Sequence, residues 1–184
     1  MPDDPDPFKL TGELYRDLIR RRPAIKKAAD YYDGCHNLAF AGEKFLDAFG
    51  GQFRAFADNW CAVVTDAVEE RLQIAGFRVN NEPKADDGAH KIWQTNDMDM
   101  QAQLGHTDGL HQGAFYVTCW PSGDETPPEL TVDSCMGTIV RRHPKFRNRV
   151  TAALRTWSDD DGYEHAELFG VGDRVYMLRS KAKQ

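Results

Sequence analysis

The hydrophobic rhythm of this chain changes once, at Gly113. Upstream, apolar residues recur at steps of three and four, the spacing that lays one stripe along a helix. Downstream, short runs of β-branched and aromatic residues alternate with clusters of Gly, Pro and Asp, which favour turns. Helices first and strands last do not make alternating βαβ units. The expected class is therefore α+β, with N-terminal helices followed by an antiparallel β-meander. The chain divides on this basis into an acidic disordered tail over residues 1–9, a mainly helical part over 10–113 and an antiparallel β part over 114–184.

Leu14, Leu18 and Ile19 predict a first helix, which Pro23 interrupts, opening a second that Asp33-Gly34 ends. Phe45, Leu46, Phe49, Phe53 and Phe56 predict a helix over 43–56, weakened by Gly50-Gly51. The clearest helix covers 59–75. Asp58 or Asn59 can cap it, Trp60, Val63, Val64, Ala67, Val68 and Leu72 trace one stripe, and Gly76 ends it. Phe77-Arg78-Val79 reads as a short strand, 80–90 as a loop, and Lys91-Ile92-Trp93-Gln94 as one helical turn. Thr95 or Asn96 then caps a helix whose Gly105, Gly109 and Gly113 leave one face nearly bare, suited to close approach by another backbone. Strands are expected over 114–120, 129–133, 137–142, 150–157, 163–169 and 174–178, with Asp159-Asp160-Asp161-Gly162 as a hairpin turn.

Hydrophobic residues make up 41% of the 184 and aromatic residues 11%, enough for a packed core. The 29 acidic residues outnumber the 23 basic ones, for a net charge of −6. That argues against gripping nucleic acid by overall attraction, while leaving room for a local basic patch. No run approaches the ~18 apolar residues of a membrane span. Met1-Pro2-Asp3-Asp4 lacks the basic and apolar regions of a signal peptide, so secretion is not expected. Cys35, Cys61, Cys119 and Cys135 form no CxxC pair and read as free buried thiols.

A search for chemistry finds no glycine-rich phosphate loop, no GxSxG and no HExxH. His106 and His111 point in different directions on a helix, and Asp159 to Asp161 lack the alternating spacing of a calcium loop. No catalytic residue, cofactor or metal is expected. Two basic clusters stand out. Arg20, Arg21 and Arg22, with Lys26 and Lys27, read first as a solvated face and second as a contact to phosphate or an acidic partner. Arg141, Arg142, His143, Lys145, Arg147 and Arg149 surround Phe146. They read first as a basic loop between strands and second as a nucleic-acid contact, with Arg141, Arg142, Lys145 and Arg147 on phosphate.

Several segments, in order, resemble a known family. These are Tyr31-Tyr32-Asp33-Gly34 with His36, Leu38 and Phe40, and Asn59 with Val63-Val64, Glu70-Arg71-Leu72 and Gly76-Phe77-Arg78. Ile92-Trp93-Gln94-Thr95-Asn96-Asp97-Met98-Asp99 is the most distinctive. Ala114-Phe115-Tyr116-Val117 with Trp120-Pro121, and Thr156-Trp157-Ser158-Asp159-Asp160, complete the set. Together they resemble the N-terminal wing region of tailed-bacteriophage portal proteins of the siphophage type, a resemblance that covers roughly Leu10 to Leu178.

The resemblance implies a structural virion protein and not an enzyme. Portal subunits form a homo-oligomeric ring, typically a dodecamer, at one capsid vertex, through which double-stranded DNA is packaged and ejected. The implied partners are the major capsid protein, the terminase and head-completion or adaptor proteins. The implied location is the virion, with the host cytoplasm during assembly. A conduit for DNA fits an acidic chain, since many phosphate contacts would brake sliding. The resemblance also implies that stem, clip and crown have no counterpart in this sequence, so the chain is either a fragment or a short relative. Arg20, Arg21, Arg22, Gly105, Gly109 and Gly113 are the candidate subunit or capsid contacts. The alternative reading is a small adaptor or nucleic-acid-binding module that uses Arg141 to Arg149.

Overall fold

The computed structural model describes residues 6–35, 47–48, 59–78, 84–123, 126–171 and 174–181. Four helices precede six strands among them, and the strands are antiparallel in the four-stranded sheet, so the class is α+β. The helices are α1 (Pro7–Tyr32), α2 (Trp60–Glu69), α3 (Asp87–Thr95) and α4 (Met98–Gln112). The strands are β1 (Phe115–Trp120), β2 (Glu129–Ser134), β3 (Thr138–Arg142), β4 (Val150–Ser158), β5 (Tyr163–Val171) and β6 (Arg174–Lys181). The chain forms two compact units, one of Met1–Pro23 with Asp133–Gln184 and one of Ala24–Val132.

In the first unit β3-β4-β5-β6 pair in chain order as a meander. The register sets Ile139 beside Leu154, Leu154 beside Leu168, and Leu168 beside Tyr176. Because side chains alternate across a strand, these residues share one face. That face packs on Leu10, Leu14 and Leu18 of α1, which recur every fourth residue. Leu14, Leu18, Ile139, Leu154 and Leu168 are fully buried, and they form the center of the unit. At Gly170, with φ +90°, an added Cβ would lie 2.6 Å from the Thr151 carbonyl oxygen, so only glycine lets β5 pass β4 there.

α1 begins earlier than expected. Pro7 occupies its first position and Asp6 caps it, the Asp6 carboxylate accepting from the Phe8 amide at 3.1 Å. It also continues through Pro23, where a break and a second helix were expected. A proline inside a helix removes one backbone hydrogen bond and generally destabilises by about 3 kcal/mol. Arg22 holds the turn just before it, donating to the Met136 carbonyl at 2.9 Å and to Thr156 Oγ1 at 3.3 Å.

In the second unit Asn59 caps α2, its side chain accepting from the Ala62 amide at 3.1 Å and donating to the Tyr32 carbonyl. Tyr32 in turn donates to Asp66 at 2.9 Å and stacks on His111. α2 ends at Glu69, not near Gly76, and Phe77-Arg78 is extended without strand pairing. The apolar stripe exists but is exposed, with Trp60 at 69% and Val64 at 65%, because the residues tied to Tyr32 lie on another face. The expected turn at Lys91 belongs to the longer α3, capped by Asp86. α4 is led by Asp97 in a left-handed conformation without a side-chain cap, so neither Thr95 nor Asn96 caps it. The helix expected over 43–56 lies outside the described residues apart from Asp47 and Ala48.

None of the four cysteines is in a disulfide, but Cys35, Cys61 and Cys119 are exposed and only Cys135 is buried. The expectation of buried thiols fails at Cys119 because β1 turns Val117 and Cys119 to its open side. No helix among the described residues is long and apolar enough to cross a membrane.

Candidate functional site

The basic stretch becomes an ordered turn between β3 and β4. The His143 amide donates to the Arg149 carbonyl at 2.8 Å, and the Arg149 amide to the Phe146 carbonyl at 2.9 Å. His143 Nδ1 accepts from the amides of Lys145 and Phe146, both at 3.1 Å. Arg142 donates to the Arg147 carbonyl at 3.0 Å, bracing the turn from outside. Phe146 has two cations over its ring, Lys145 Nζ 5.4 Å and the Arg149 guanidinium 5.0 Å from the ring centre. Arg141 stands apart from this group. It reaches back to α1 and pairs with Glu13 at 3.0 Å.

A second charged area lies at the far end of the same sheet. Trp157 of β4 and His165 of β5 are cross-strand partners, and their rings stack 5.1 Å apart. His165 Nε2 is 2.7 Å from Asp159 Oδ2, and Arg179 of β6 approaches the same oxygen at 3.6 Å. The His165 hydrogen bond, followed by the Tyr163 amide, holds the Asp159 carboxyl below the usual carboxylate range. Arg155 lies between Asp133 at 2.8 Å and Glu167 at 3.5 Å, and Glu167 is buried. A groove of about 330 Å³ runs beside this end of the sheet, lined by Tyr15, Arg22, Thr156, Ala166, Leu178 and others. These contacts brace strands. The sequence did not mark His165 or Arg179, because the register that brings them to Asp159 is a property of the meander.

The distinctive segment Ile92–Asp99 proves to be a clamp in the second unit. Trp93 Nε1 and Gln94 Nε2 both donate to Asp99, at 2.6 and 2.9 Å, and hold its carboxyl below the usual range. Asn96 donates to the Ile92 and Pro128 carbonyls and accepts from the Leu130 amide at 2.8 Å. Gln101 donates to the Asn96 carbonyl and accepts from the Val132 amide at 3.0 Å. One short segment thus fixes the α3–α4 junction and the start of β2.

The other residues singled out by sequence are scattered. Arg20 pairs with Asp17 at 2.9 Å on the surface, Arg21 is exposed, and Arg22 makes the intramolecular bonds given above. A Cβ on Gly105 would lie 2.7 Å from the Phe115 ring and 3.0 Å from Val132, and one on Gly109 3.0 Å from Phe115. The bare helix face therefore receives a side chain from β1. Gly113 caps α4 at φ 93°. Among the described residues no group of three or more His, Cys, Asp or Glu side chains is placed to hold a metal ion.

No family model matches the chain. It is 31% identical over 109 residues to the portal protein of Mycobacterium phage L5, a match covering 54% of this chain and 22% of that protein. It is 38% identical over 109 residues to the portal protein of Mycobacterium phage D29, with the same coverage. Over the matched stretch the chain is similar to phage portal proteins. The matched stretch spans about a fifth of the length of these relatives, from the 22% covered.

Proposed function

We propose that this chain is a structural component of a phage portal, contributing an outer, wing-like part of the ring at the capsid vertex through which double-stranded DNA is packaged and ejected. The identity to two mycobacteriophage portal proteins carries the reading. Two features of the chain support it. The distinctive segment is a clamp for secondary structure and not a reaction centre, as a scaffold requires. An apolar stripe of Trp60, Val63 and Val64 lies exposed on α2, the kind of surface that assembling proteins bury against neighbours.

In this role the chain does no chemistry. It acts in the virion and, during assembly, in the host cytoplasm. Its partners are further portal subunits, in a ring of about twelve, together with major capsid protein, terminase and a head-completion protein. Exposed Arg21, and Arg20 through its surface pair with Asp17, remain the candidates for these contacts, since Arg22, Gly105 and Gly109 are engaged within the fold. Light scattering with negative-stain imaging of the purified chain tests the reading. Rings with a central opening are the expected result. A monodisperse monomer at every concentration would overturn the claim that this chain carries assembly contacts.

A further inference from the structure

We propose that the turn His143–Arg149 is a preformed contact for the phosphate backbone of duplex DNA, independent of base sequence. The proposal rests on the turn itself and not on the portal reading. Arg142, Lys145, Arg147 and Arg149 are exposed, and among the described residues none of them makes an ion pair. By contrast Arg141, in the neighbouring strand position, is paired with Glu13. On a chain of net charge −6, three cations in this turn and Arg142 at its edge, none of them ion-paired among the described residues, form a local field of opposite sign.

The backbone of the turn is already ordered. His143 ties down the amides of Lys145 and Phe146, and the backbone bonds between His143, Phe146 and Arg149 close the loop. Binding a polyanion therefore does not require the backbone to fold first, which lowers the entropy lost on association. Phe146 decides between modes of contact. Its ring, 43% exposed, carries Lys145 and Arg149 as cation–π partners, so it sets both cations beside one another where a phosphate can meet them. That favours phosphate contact over single-strand capture. Four contacts give weak, salt-sensitive binding, compatible with DNA moving past the surface.

The test is fluorescence anisotropy of the full chain with a labelled random-sequence duplex, over a range of salt. The expected plot of log K against log salt has a slope of about −3 to −4, from ~0.9 per neutralised phosphate. The triple variant K145A/R147A/R149A should flatten the slope by about 2.7 on the same relation. Arg141→Ala should leave it unchanged, and circular dichroism should show both variants folded. Absence of duplex binding at low salt would overturn the proposal. So would a triple variant with the wild-type slope. Tighter binding of a single strand, lost in Phe146→Ala, would overturn the phosphate mode in favour of stacking. Equal binding of polyglutamate at matched charge would overturn the DNA assignment in favour of an acidic protein surface.

Discussion

In the unit built on β3–β6, one helix crosses one face of a meander, and Leu14, Leu18, Ile139, Leu154 and Leu168 are sealed between them. In the unit spanning Ala24–Val132, the buried residues of its helices are Met98, Ala102 and Gly105, while Trp60, Val63, Val64, Met100 and Leu104 are exposed. The first unit is held by aliphatic packing. The second has, among its described residues, a framework of hydrogen bonds accepted by the side chains of Asn59, Asn96, Asp99 and Gln101. The lesson is one of completeness. A meander with a helix across it satisfies its own apolar face, whereas a set of short helices leaves apolar surface available to something else.

The largest effect should come from the sealed core. Leu154→Ala should lower stability by about 2–5 kcal/mol, the loss seen when a buried leucine leaves a cavity. Val64→Ala, on the exposed stripe, should change it by no more than ~0.5 kcal/mol. Urea denaturation of both variants measures this. Equal losses would break the contrast, because they would mean that the α2 stripe is packed within the chain in solution.

Much of the sheet was legible because strands announce themselves locally. Each of the expected strands after Gly113 lies within a few residues of an observed one, since β-branched runs and turn residues set both rhythm and ends. The helix ends were less legible. Pro7 and Pro23 looked like a tail and a break, but Asp6 makes the first a helix start, and α1 runs on through the second, with Arg22 just before it bonded to Met136 and Thr156. The glycine face was visible as a spacing, yet its occupant Phe115 comes from another element, and no local signal names it. The same holds for the basic stretch. Its charge is plain in the sequence, but the removal of Arg141 by Glu13 depends on α1 lying across the sheet.

That glycine face offers a second, smaller test. Gly105→Ala must push against the Phe115 ring and Val132, and should destabilise by roughly 1–2 kcal/mol despite the better helix propensity of alanine. Gly12→Ala in α1 meets nothing within 4 Å and should stabilise by about 0.5–1 kcal/mol. Thermal unfolding of the two variants should therefore move in opposite directions. A stabilised Gly105→Ala would show that α4 and β1 are less closely packed than their geometry requires.

The smallest effect separates the two units by the origin of a shared electrostatic feature. Asp159 and Asp99 both have carboxyls held below the usual range. For each, the folded state favours the anion, so its stabilisation is complete above the ordinary carboxylate value of about 4 and is lost as pH falls through the lowered folded value. Both are held first by hydrogen bonds, Asp159 by His165 and the Tyr163 amide and Asp99 by Trp93 and Gln94, but Asp159 also faces the charged Arg179 guanidinium. Interactions between exposed charges are screened by salt, and short neutral hydrogen bonds are not. In a carboxyl NMR titration, added salt should therefore raise the apparent pKa of Asp159 and leave that of Asp99 nearly fixed. Asp159→Asn should flatten the acid limb of the stability curve less in high salt than in low. Equal salt shifts at both carboxyls would show that Arg179 does not act on Asp159 as a charge, and that the brace at the sheet end is held by hydrogen bonding alone.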